Sequence, residues 1–363
     1  TTGVKNVVIG GLAGDALTDA DRNTAIGFAA LSSDTLGSKS TAVGSGTLFT
    51  QNFTTATDAY NTAVGFEAGI SVTTGVNNTI VGGLAGDAIT TGNNNVAIGG
   101  EALSSDTLGS LSTAVGLQAL ANQNFTTATN SFNTAIGAEA GEQVTTGTVN
   151  TLIGARAGDA LTTGSNNVAL GGGALGADDV GNKTVSIGVD SLASQNFTTA
   201  TDSFNVAVGY GAANGITTGV QNTLIGGLAG DVLTDADNNT ALGYLALSAE
   251  TNNNGNTAIG AEALKVQNAG GGGDARNTAV GFLAGAAVTS GVNNTIIGAL
   301  AGDALTDADK NVAIGYAALT ADTLGSKSVA IGLGTLEAQN FTTATDSFNV
   351  AVGSEAGATV TTG

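Results

Sequence analysis

Asn61-Thr62-Ala63-Val64-Gly65 decides the fold. In an extended strand, alternation puts Thr62 and Val64 on one side and Ala63 on the other, and a glycine closes the segment. The pattern Asn-Thr/Val-Ala-Ile/Val-Gly recurs with endings at Gly10, Gly27, Gly44, Gly65 and Gly82, and continues to Gly353. The spacings run 17, 17, 21, 17 and repeat, so Gly10, Gly82, Gly154, Gly226 and Gly298 stand 72 apart. Such a period predicts an all-β, parallel β-solenoid (β-roll) of 20 coils grouped in fours, each resting on its neighbours. Residues 1–363 are expected to form one continuous solenoid, with super-repeats near 6–77, 78–149, 150–221, 222–293 and 294–363. At ~4.8 Å per strand, the stack would give about 96 Å of rod.

Four kinds of coil alternate. The first reads Gly-Leu-Ala-Gly-Asp-Ala-Leu-Thr from Gly11, and the second Ala-Leu-Ser-Ser-Asp-Thr-Leu-Gly from Ala30. The third carries Gln-Asn-Phe-Thr-Thr-Ala-Thr-Asp-Ser-Phe, as at Gln195, and holds the four extra residues. The fourth reads Ala-Gly-x-x-Val-Thr-Thr-Gly from Ala68. Asn precedes the strand in sixteen of twenty coils, with Ser40, Ser112, Thr184 and Ser328 as the exceptions, and a ladder of Asn side chains is expected there. The closing glycine suits a positive φ or a close backbone approach, and Thr-Thr-Gly and Asn-Asn suit the return corner.

Both sides of the strand are apolar. One carries Thr, Val and Ile; the other carries Ala, replaced once per super-repeat by Val8, Ile80, Leu152, Leu224 and Ile296. A strand apolar on both sides is normally covered on both. The expectation is that Val64 and Val208 point inward and that the Ala side packs against other copies of the chain, giving a homo-oligomer.

Composition narrows the function. Apolar residues make up 42% and aromatics 4%, with 57 Gly, no Pro, no Cys and no His. The formal charge of −20 disfavours nucleic acid and anionic membranes as partners. No apolar run approaches the roughly 20 residues that span a bilayer. The chain starts without Met and stops at the same phase of the repeat, Thr-Thr-Gly, which reads as a segment of a longer fibre protein.

Asn-Thr-Ala-Val-Gly, with Ala third after that Gly in seventeen coils and Thr-Gly-x-Asn ahead of the next strand, resembles the head repeats of trimeric autotransporter adhesins (YadA-like). It is also similar to repeats of phage tail-fibre-like proteins. The resemblance spans the whole chain and implies a left-handed β-roll, three chains about one axis, on a cell surface or a virion tail fibre. The coils here are longer than the usual head repeat, and a neck, stalk or anchor is not read within residues 1–363.

Candidate sites are few. Asp15, Asp87, Asp159, Asp231 and Asp303 recur at one place, and Asp34, Asp106, Asp178, Glu250 and Asp322 follow one coil later. Stacked carboxylates can hold Ca²⁺, but turn aspartates more often bond their own backbone, and no metal is assigned. Phe53 with Tyr60, Phe125 with Phe132, Phe197 with Phe204 and Phe341 with Phe348 frame the extra residues, either as a packed cluster or as an exposed contact. The fourth super-repeat has Gly270-Gly271-Gly272-Gly273 there. No His or Cys supports nucleophilic chemistry, and no catalytic or cofactor-binding residue is assigned. The leading expectation is a structural and adhesive extracellular fibre segment that self-associates, with a host-surface glycan or protein as a further partner. The alternatives are a glycan- or ice-binding solenoid module and a phage tailspike or tail-fibre shaft.

Overall fold

The computed structural model describes residues 3–362. The chain-end phases read at Thr1, Thr2 and Gly363 lie outside them. All regular structure among the described residues is β, and no helix is long and apolar enough to cross a membrane. The chain divides into two compact units, one running through Asn182 with Thr198–Thr201, the other comprising Lys183–Phe197 and the residues from Asp202 onward.

The first unit stacks ten three-residue strands, beginning at Val7–Ile9, Thr24–Ile26 and Thr41–Val43 and ending at Val168–Leu170. Each pairs in parallel with the next at an unbroken register, for example Thr62 with Thr79, Ala63 with Ile80 and Val64 with Val81. The second unit repeats the arrangement from Val185–Ile187 to Val350–Val352, again with ten strands. This is the expected parallel β-solenoid. The extra residues of the third coil lie beside short secondary pairings, Gly37–Ser38 with Thr57–Asp58, Gly109–Ser110 with Thr129–Asn130, and Gly325–Ser326 with Thr345–Asp346. In the fourth super-repeat this pairing shrinks to one bridge between Asn254 and Asp274.

The closing glycine is fixed by both conformation and space. Gly116 has φ 141°, and a Cβ there would lie 2.3 Å from the carbonyl oxygen of Gly137 on the next coil. Corners on either side of the strand are left-handed although most of their residues are not glycine, as at Tyr60 (φ 51°) and Glu67 (φ 54°).

The inside of the coil reverses one expectation. Ala63 is fully buried, whereas Val64 is 37% exposed. Throughout both units the Ala side faces the coil interior and the Thr–Val/Ile side faces out. Val64 and Val208 are therefore not core residues, and the Ala side is not available to another copy. The reason is room. Fully buried leucines such as Leu31, Leu48, Leu103 and Leu120 occupy the interior, so the strand contributes only a methyl. A bulky residue enters where glycine makes space: a Cβ on Gly69 or Gly86 would collide with or crowd the Ile80 side chain, at 2.9 and 3.4 Å.

The Asn ladder exists, and its bonds run mainly to the backbone. The Asn78 N–H donates to Oδ1 of Asn61 at 2.9 Å, and Nδ2 of Asn61 donates to the Gly75 carbonyl at 2.7 Å. Each amide thus ties one coil to the next and closes its own return corner. Direct amide-to-amide contact is longer, 3.3 Å from Asn78 to Asn61.

Candidate functional site

Two sets of residues have a place to act, the buried polar groups within the coils and the exposed columns outside them. Inside, each second-kind Asp is turned inward. Asp34 accepts from the Gly37 N–H at 2.9 Å and from Nε2 of Gln51 at 2.6 Å, and Gln51 in turn accepts from Nδ2 of Asn61 at 2.8 Å. Ser40, one of the exceptions in the Asn column, also accepts from Nε2 of Gln51, and its short side chain leaves the glutamine room. The same set forms around Asp106, Gln123 and Ser112, and around Asp322, Gln339 and Ser328. Burial raises the Asp106 carboxyl above the ordinary aspartate range, against the hydrogen bonds that lower it.

The fourth super-repeat departs. Glu250 reaches the backbone N–H groups of Thr251, Asn252 and Asn253 with its longer side chain. Asn256 stands where the others have Ser or Thr, and Nδ2 of Asn256 and Oε1 of Gln267 are buried without hydrogen-bond partners.

The first-kind aspartates are separate from these. Burial, the dominant cause, raises the carboxyls of Asp87, Asp159 and Asp231, and one oxygen each of Asp87 and Asp231 is buried without a partner. Asp303 accepts from the Thr320 hydroxyl. Among the described residues, no three carboxylates converge to hold a metal ion. The second-kind row is taken up by its glutamines and turn N–H groups, whereas the first-kind row leaves Oδ1 of Asp87 and of Asp231 unmatched.

Outside, the outward Thr–Val/Ile columns form a face that is exposed or half-exposed among the described residues; Ile98, Ile136, Leu170 and Leu242 are all exposed there. The aromatic pairs at the insertion split between the two proposed roles. Phe53, Phe125, Phe197 and Phe341 are buried; Tyr60, Phe132, Phe204 and Phe348 are exposed at the corner before the strand. A cation covers three of the exposed rings. Lys39 Nζ lies 2.6 Å from Asp58, 2.9 Å from the Tyr60 hydroxyl and 4.9 Å from the ring centre. Lys183 repeats this with Asp202 and Phe204, and Lys327 with Asp346 and Phe348.

A second set of exposed rings was not singled out in the sequence: Phe28, Phe66, Tyr210, Tyr244, Phe282 and Tyr316. Each follows a closing glycine directly, and that fixed place was the available signal. Beside Tyr210 an open groove of about 310 Å³ is lined by Asp190, Asn214 and Asp231 among others. Comparison with protein-family models and with curated proteins finds no match for the chain.

Proposed function

We propose that this chain is a structural segment of an extracellular or virion-borne fibre, and that copies of it associate through the outward Thr–Val/Ile face. The single observation behind this is the burial pattern: Ala63 inside and Val64 outside, repeated coil after coil. Apolar patches beyond a few hundred Å² on soluble chains mark interaction sites, and this one continues over ten strands in each unit. Association hides it at a favourable ~25 cal/mol per Å² of apolar surface. The net charge of −20 opposes random lateral aggregation and leaves a dedicated face as the route to assembly. Three copies about one axis is the number implied by the adhesin-like repeats, with reach and surface attachment as the mechanical role.

Light scattering on the chain tests this. A mass of about three chains supports the reading. A monodisperse single chain with a folded β spectrum rules it out. A second reading, attachment to a glycan, draws on the groove at Tyr210, where a ring stands beside carboxylates and an amide. Binding on a glycan array that disappears in Tyr210→Ala would favour it.

A further inference from the structure

Two columns border the outward face, one formed by the left-handed residue before the ladder Asn, the other by the residue between the closing glycine and the left-handed corner that follows it. Their occupants, six residues apart in sequence, change together from coil to coil. In second-kind coils the pairs are Arg22 with Phe28, Asn94 with Gly100, Asn166 with Gly172, Asn238 with Tyr244 and Lys310 with Tyr316. Cations accompany rings and Asn accompanies Gly; Asn238 is the one departure. Elsewhere Leu111 goes with Leu117, Phe204 with Tyr210 and Arg276 with Phe282. Across all coils, a large side chain after the closing glycine has a long one at the other corner in eight cases of nine. The converse is looser, since Lys5, Lys39, Phe132, Gln221 and Phe348 stand opposite Gly11, Ser45, Ala138, Gly227 and Ser354.

Within one chain these partners do not meet. The strand lies between them, which separates the two corners by roughly 15–20 Å at ~3.3 Å per residue. Both side chains of the pairs Tyr60–Phe66, Leu111–Leu117 and Phe204–Tyr210 are exposed. Matching of size and charge without contact inside the chain calls for contact between chains. Symmetry then fixes the arrangement. Copies related by rotation about the stacking direction bring the corner before the strand of one to the corner after the strand of the next. Copies turned end over end bring like corners together, which would not set Arg22 against Phe28 or Leu111 against Leu117.

We infer that copies pack parallel and at equal height, with these two corners joined in trans, an inference that rests on the self-association proposed above. Arg22 then lies over a neighbour's Phe28 and Arg276 over a neighbour's Phe282 as cation–π pairs, Phe204 meets Tyr210 ring to ring, and Leu111 packs on Leu117. Such a head-to-tail contact closes into a ring of copies. Where Asn faces Gly, the corners come closest.

The chain has no cysteine, which makes the test direct. A Cβ on Gly100 would meet only the Leu117 side chain, at 3.4 Å, so the position accepts a side chain. Asn94→Cys combined with Gly100→Cys, mildly oxidised, should give covalent multiples on a non-reducing gel. Either substitution alone should leave single chains. Asn94→Cys with Ala138→Cys, two coils out of step and so offset by ~10 Å, more than a disulfide's ~7 Å Cα limit, should link at least tenfold more slowly. If light scattering shows an oligomer and the aligned pair fails to link, or Asn94→Cys links on its own, the corner pairing is wrong while self-association stands. A monomer overturns both. Asn166→Cys with Gly172→Cys gives the same readout should the first pair disturb folding.

Discussion

Asn256 shows how much one side chain decides inside these coils. Elsewhere the residue under the glutamine is Ser or Thr, and each polar atom of the set finds a partner; here the longer amide leaves two buried atoms unmatched. An unpaired buried polar group costs about 1–3 kcal/mol. Asn256→Ser should therefore stabilise the chain by roughly 1 kcal/mol, read as a higher denaturation midpoint; a midpoint unchanged or lowered counts against this account. The buried Asp106 and the half-buried aspartates make a second prediction. Burial holds Asp87, Asp106, Asp159 and Asp231 above their unfolded values, so the folded chain binds more protons than the unfolded one between about pH 4 and the raised folded pKa values. Stability then falls as pH rises through that window. The melting temperature should rise when pH is lowered from 7 toward about 4.5, and Asp87→Asn with Asp231→Asn should flatten the slope. A melting temperature that drops over this range would falsify the assignment.

The element that carries the fold is the strand with its closing glycine. Parallel pairing leaves no slack at the glycine, because the carbonyl of the next coil occupies the space a Cβ would need. Gly116→Ala combines that collision with a φ that L-residues rarely adopt, and should cost about 3 kcal/mol or more. Chemical denaturation measures it, and a loss under about 1 kcal/mol would mean the coils can separate locally. Gly83→Ala, at the position after the closing glycine Gly82, where an added Cβ would have nothing within 4 Å, is the control and should be nearly silent. The left-handed corners carry Leu, Glu, Lys and Phe instead of glycine, each costing some backbone strain that the ladder hydrogen bonds offset.

At the scale of the whole molecule the outward face matters most. Val64→Lys with Val208→Lys adds charge to that face without touching the interior, so the coils should stay folded by circular dichroism while the assembly dissociates in light scattering. Loss of the fold instead would return these valines to the core. Ala63→Lys makes the contrast. It places a charge at a fully buried position, and the strand should not form.

The period, the strand and its register were legible in the sequence, because a repeat in residue type becomes a repeat in space once like residues stack. So were the glycine and the Asn column, each set by a short-range geometric demand. Which side of Asn61-Thr62-Ala63-Val64-Gly65 faces inward was not legible, since alternation separates two faces without saying which is enclosed. That depends on how much space the returning chain leaves, and Leu48 and its counterparts already fill it. The division of Phe53 from Tyr60, one buried and one exposed, was decided in the same way, by a corner that only the folded backbone places.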